Sequence, residues 1–303
     1  MPLDSQLIAG ALAHGLSPGV IATWDPRLAR TPRVMVPVQL DVLMVREEGG
    51  TWAQTAMTVP DPGSEPQAPT LLPHPFSERA PRPKGAYLHW ALPDALTAGG
   101  SADENTGAVT FPFVPNRWLV LRRVPGSPGA TASWILASDY LGGHGPSYYA
   151  NGQATTLGMS WPLANWPGEA ALPAGLQPPL TAVGLGDPTF AAYLPNIQHI
   201  FAFHDPLTGV NPGTVTYTLC GWYAGHAVDP MSGPEYGPAG WQTSAEWAAV
   251  MSQLGWSVGS DLPAATAAAQ AWAAAHGFAS DPASPRTILP SRTVCHGLVN
   301  KIT

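Results

Sequence analysis

The chain has 303 residues, of which 35 are Pro and 32 are Gly, a load that excludes an all-helical bundle because Pro breaks helix interiors and Gly weakens them. Charged residues make up only 11%, but apolar ones reach 45% with 12 Trp, so the chain can build a sizeable core and is not of the low-hydrophobicity disordered type. A net charge of −7, with 11 Arg, two Lys and no basic stripe, removes the electrostatic footprint of a nucleic-acid binder.

The first residues, MPLDSQLIAGALAHGLS, place Asp4 ahead of an apolar stretch that carries no basic residue. That pattern predicts a short helix from Ser5 to His14, stopped at Gly15, in place of a secretory signal. No apolar run approaches the ~18 residues of a membrane span. The expectation is a protein without a membrane span, cytoplasmic as synthesised. Arg27, Arg30 and Arg33, and then Arg79, Arg82 and Lys84, lie among prolines and read as solvated loop charges.

Residues 33–45, RVMVPVQLDVLMV, carry the clearest strand signal. Val34, Val36, Val38, Leu40, Val42 and Met44 fall on one face, with Gln39 and Asp41 on the other. Pro37 removes a ladder donor and marks an edge strand or a bulge. Gly49-Gly50 then turns the chain into 51–59, predicting a hairpin. Residues 60–83 are punctuated by Pro and Gly and read as an extended arm. A short apolar run, GAYLHWALPDAL at 85–96, is ended by Pro93, and 99–109 form a polar loop. Residues 117–124 place Trp118, Val120 and Arg122 on one face and Arg117, Leu119, Leu121 and Arg123 on the other, with 131–140 as the hairpin partner.

Residues 141–190 are rich in Gly, Pro and aromatics and read as a long irregular excursion, its aromatics pinned onto the body because a free loop of that length is rare in a compact domain. Strand character resumes at 197–205 and in the alternating run 214–223, joined as a hairpin by Asn211-Pro212-Gly213. Thr243 to Glu246 form a capping box, followed by the helical stripe Trp247, Val250, Met251 and Leu254, with Gly255 as a stop. A second helix from Asp261 to His276 completes a helical hairpin at about 241–279. The final segment, TILPSRTVCHGLVNKIT, reads as a strand still inside its sheet. The whole is therefore expected to be a single mainly β domain over 1–303, antiparallel and sandwich-like, with an inserted helical hairpin and long Pro/Gly-rich loops, forming the N-terminal part of a longer protein.

The chemistry-bearing residues are dispersed. Cys220 and Cys295 sit in separate strand-like runs outside any C-x-x-C pair, and two buried thiols are expected. Asp187, Asp205 and Asp229 each precede Pro, the pattern of a turn opener. His204-Asp205-Pro206 caps a strand, with Asp205 bonding a turn amide. His89 beside Trp90, and His296 beside Cys295, read as structural histidines. Neighbours on a strand face opposite ways, so Cys295 and His296 cannot act on each other. No P-loop, zinc-protease, nucleophile-elbow or dinucleotide fingerprint is present, and neither a cofactor nor a metal is expected. The aromatic load leans towards recognition. Tyr148, Tyr149, Trp161 and Trp166 lie in loop-like sequence and are the candidates for an exposed contact surface. An enzymatic reading would have to draw on His89, His204, Asp205 and Cys295.

Five motifs occur together: GAYLHWALPDAL (85–96), FPFVPNRWLVLRR (111–123), YLPNIQHIFAFHD (193–205), TVTYTLCGWYAGHAVDP (214–230) and TVCHGLV (293–299). In this order the chain resembles the N-terminal region of large, functionally uncharacterised bacterial proteins. The resemblance implies a chain that continues past the last motif and brings no catalytic residues with it. It also implies an association with phage-tail-like contractile injection machinery, as cargo or a particle component. The leading expectation is thus a non-enzymatic structural or interaction module with a protein partner or larger assembly. The alternatives are a carbohydrate-binding module that uses loop tryptophans on a glycan, and a hydrolase with a His/Asp/Cys site.

Overall fold

A computed structural model of the chain describes residues 33–47, 83–126, 132–141, 147–150, 153–172, 180–182, 201–210, 214–232, 244–256 and 292–302. The predicted helix at 5–14, the hairpin partner at 51–59, most of the arm at 60–83 and the second helix of the helical hairpin lie outside these residues. The described chain is mainly β, with a small helical part. Its strands are β1 (Val34–Pro37), β2 (Gln39–Val45), β3 (Gly85–Ala91), β4 (Arg117–Arg123), β5 (Ala132–Leu141), β6 (Ser147–Ala150), β7 (Gln153–Pro162), β8 (Ala202–Asp205), β9 (Val215–Trp222) and β10 (Thr293–Ile302). Two helices, α1 (Asp94–Thr97) and α2 (Ser244–Gln253), accompany them.

The strands form a seven-stranded sheet, ordered β1-β10-β9-β4-β5-β7-β6, and a three-stranded sheet, ordered β2-β3-β8. Pairing is antiparallel except at one edge, where β1 runs parallel to β10. The main core joins the two sheets: Leu88, Trp90 and Phe203 from the smaller one pack with Trp118, Val120, Leu136, Tyr217, Leu219 and Cys295 from the larger. Trp90 and Trp118 meet across this interface at 5.1 Å between ring centroids. Leu119, Leu121, Ile135, Trp222 and Val294 build a second cluster on the outer face of the larger sheet.

The continuous strand expected over 33–45 breaks at Val38, and its halves join different sheets. Pro37 has no N–H to extend the ladder. The Val38 N–H still donates to the His296 carbonyl at 2.8 Å, after which the chain crosses layers and Leu40 pairs with Trp90. One alternating pattern serves both halves because the inner faces of the two sheets look at each other. Beyond Val42 both faces are covered: Met44 still packs against the main core, while Leu43 and Val45 are buried with Tyr87 on the opposite side of the small sheet.

Two further expectations need correcting. The runs at 197–205 and 214–223 do not form a hairpin: β8 pairs with β3, whereas β9 lies between β10 and β4. The Asn211-Pro212-Gly213 turn itself lies outside the described residues, but the strands before and after it belong to different sheets. Nor is 141–190 wholly irregular, since β6 and β7 form a hairpin at the sheet's far edge, with β7 continuing the ladder from β5. The β4–β5 hairpin is as expected. So is α2, whose Trp247, Val250, Met251 and Leu254 pack around Met231. It ends at Gly255, where φ is +62° and the Trp256 N–H reaches back to the Met251 carbonyl at 2.8 Å.

Candidate functional site

Alternation along β4 sends Arg122 inward and Arg117 outward, and each builds a polar cluster on its own side of the sheet. Inside, Arg122 Nη1 donates to both carboxylate oxygens of Asp205 at 2.8 Å. The Tyr217 hydroxyl donates to the same carboxylate at 2.7 Å, and the Leu207 N–H at 2.9 Å. The Arg122 guanidinium also lies 5.5 Å from the centre of the Trp134 ring. Arg122 and Tyr217 belong to the large sheet and Asp205 to the small one, so this group ties the layers together. Burial, followed by the charge of Asp205, pushes the Tyr217 phenol well above its usual range and keeps it neutral.

Outside, the guanidinium of Arg117 is fully buried and holds two carboxylates. Its Nε and Nη2 donate to Glu169 at 2.7 and 3.0 Å, and its Nη1 donates to Asp139. Burial works against the cation, but the hydrogen bonds to Glu169 and the charges of both carboxylates outweigh it and hold Arg117 above its ordinary value. Asn116 completes the group: its amide donates to Asp139 at 2.7 Å, and its carbonyl accepts from the Ala224 N–H at 2.9 Å.

Beside this group stands an aromatic cluster. Tyr140 and Trp161 meet edge to face at 5.6 Å and 87°, and Trp161 meets Trp166 at 5.2 Å and 69°. Trp161 opposes Ile135 in the ladder and therefore shares its outer face. A register shift in the β5–β7 pairing between Ala137 and Leu141 lets consecutive Asp139 and Tyr140 both serve this region. All three rings are half-buried, and Trp166 packs against the outer cluster, as expected of aromatics pinned to the body. The structure thus brings Trp161 and Trp166 together. Tyr148 and Tyr149 lie in β6, opposite Thr155 and Ala154, in strand and not in loop.

The enzymatic candidates are placed differently. Asp205 faces the interior, and Cys295 is buried in the same core on β10. His204 opposes Tyr87 in the ladder and stacks on it at 4.3 Å, on the opposite face of the small sheet from Asp205. His89, two residues along β3 from Tyr87, shares that outer face and is buried there. The four residues therefore occupy two faces of one sheet and a strand of the other. Cys295 opposes Gly221 while Cys220 opposes His296, so the two thiols point to opposite faces, and both are free. Burial pushes Cys220 up to about 11 and Cys295 higher still, so neither is a thiolate near neutrality. Among the described residues no group of three or more His, Cys, Asp or Glu is arranged to hold a metal, and no helix is long and apolar enough to cross a membrane.

The Asp-Pro reading holds where it can be seen. Asp205 and Asp229 each accept from the amide two residues on, Leu207 and Met231. Sequence reasoning missed the Arg117 group, because Arg117, Asp139 and Glu169 are joined only by strand pairing and a returning loop. The one available signal was Arg117 on the same face as Leu119 and Leu121, which demands a buried acidic partner. No family model, curated protein or solved structure matches the chain.

Proposed function

We propose that this chain is a non-enzymatic interaction module of a larger bacterial protein, and that its contact surface is the outer face of the large sheet around Tyr140, Trp161 and Trp166. The observation that carries this reading is the aromatic cluster itself: three half-buried rings held in fixed mutual contact beside a buried ion network. Rigid aromatic groups set among well-packed neighbours are the usual anchors of protein interfaces. The dispersal of His89, His204, Asp205 and Cys295 supports the same reading, since hydrolysis needs nucleophile and base within hydrogen-bond reach. The resemblance of the five motifs to large bacterial proteins supports a seat in a larger assembly, and contractile injection machinery is the assembly to test first.

The carbohydrate-binding alternative rests on the same tryptophans. Sugar rings stack on flat aromatic faces, but Trp161 and Trp166 are inclined at 69° and do not form one continuous shelf. That geometry favours a protein partner. The test compares the wild-type chain with Trp161→Ala in a pull-down from its host, with a glycan panel read by tryptophan fluorescence alongside. A partner retained by the wild type and lost by the variant is the expected result. Equal retention by both chains, or a fluorescence response to a glycan with no protein retained, overturns it.

A further inference from the structure

We infer that the aromatic corner of Tyr140, Trp161 and Trp166 receives a cationic side chain, arginine above all, from a protein partner; this rests on the reading of the chain as an interaction module. Arg117 carries one positive charge but is paired with both Asp139 and Glu169, so the group keeps one uncompensated negative charge. The buried member is the cation: the Arg117 side chain is 1% exposed, whereas that of Glu169 is 29% exposed. A partner approaching this surface therefore meets carboxylate, not guanidinium. The chain's net charge of −7 adds attraction of the same sign at long range.

The rings add a directional component. Tyr140 stands at 87° to Trp161, and Trp161 at 69° to Trp166, so neighbouring faces form the walls of a corner. Each ring face is electronegative and attracts a cation within about 6 Å of its centroid. A neutral flat ligand would use one wall, whereas a cation is drawn to two together with the carboxylate. The chain already contains this combination internally: the Arg122 guanidinium sits 5.5 Å from the Trp134 ring centre and is held by the Asp205 carboxylate. The outer corner offers indole and carboxylate again, and among the described residues no arginine lies over its rings. The planar guanidinium, which stacks on aromatic faces and pairs with carboxylates, suits it better than the compact ammonium of lysine.

The experiment measures fluorescence anisotropy of a labelled Gly-Ser peptide carrying spaced arginines, with serine and glutamate counterparts, against the full chain. The arginine peptide should bind and the other two should not, with affinity falling as salt rises. Trp161→Ala leaves the net charge unchanged and should weaken binding about tenfold or more, while Trp161→Phe keeps most of it. Glu169→Gln should weaken binding and flatten the salt dependence, and it answers the same question should Trp161→Ala fail to fold. Undiminished binding by both Trp161→Ala and Glu169→Gln would assign the attraction to the diffuse negative field and overturn the inference. Equal binding of the serine peptide, lost in Trp161→Ala, would overturn the cationic specificity but leave the interaction module standing. That module falls separately, through the pull-down.

Discussion

Asp229 is a buried carboxylate ringed by donors. The Thr293 N–H donates to Oδ2 at 2.9 Å, while the Thr293 hydroxyl and the Met231 N–H donate to Oδ1 at 2.8 and 2.9 Å. Burial nevertheless dominates these bonds and the nearby Arg292 charge, and lifts the carboxyl from its ordinary 3.8 to about 6. The folded chain thus binds this proton more tightly than the unfolded chain does. The residue's contribution to stability falls as pH rises between those two values and is level above them, at a cost of about 3 kcal/mol. Taking the wild type from pH 7 to pH 5 should recover about 1 kcal/mol through this group. Asp229→Asn should abolish that share of the pH dependence. It should also cost about 1–3 kcal/mol at pH 5, because the new amide sets a donor against the Thr293 N–H. Urea titrations of both chains across this pH range provide the check, and parallel stability–pH curves would refute it.

At the scale of the element, β9 shows how a strand is chosen by its neighbours. Gly221 opposes both Trp118 and Cys295 in the ladder, and the Trp118 ring lies over it where a side chain would otherwise stand. Gly221→Ala would drive a methyl into the indole and push the fully buried Trp118 of β4 off its site. The expected loss is about 3 kcal/mol in chemical denaturation, and a neutral result would mean that the ring can swing clear. Nothing in TLCGWY marks that glycine as the floor of an indole site, since the tryptophan lies about a hundred positions away in the chain. What was legible was local. The alternation of β4 and β9, the apolar stripe of α2 and its stop at Gly255, and the Asp-Pro turns all depend on residues a few places apart. What was illegible depends on pairing at a distance: the change of sheet at Val38, the parallel partnership of β1 with β10, and the separation of β8 from β9. The aromatic candidates were found by composition and by their place in loop-like sequence. Their contact at 5.2 Å required β7, whose Gly- and Thr-containing run QATTLGMSWP gives a weak strand signal.

At the scale of the whole molecule, the two sheets are one cooperative unit only if something besides apolar contact fixes their registration. The Arg122–Asp205–Tyr217 group is suited to this because it spans the layers and is buried at both ends. A buried ion pair adds little net stability over a well-packed apolar pair, but removing one partner leaves a charge stranded in the core. Arg122→Met should therefore cost about 3–5 kcal/mol, whereas the double substitution Arg122→Met/Asp205→Leu should regain a large part of that loss. Because Trp90 and Trp118 face each other across the same interface, tryptophan fluorescence reports on the layers' contact and far-UV circular dichroism on the strands themselves. The two signals should move together to lower urea in Arg122→Met, as one transition. A fluorescence change that clearly precedes the loss of β signal would instead show the three-stranded sheet leaving first. Stability would then reside in the seven-stranded sheet alone, with the ion group acting only as a local clasp.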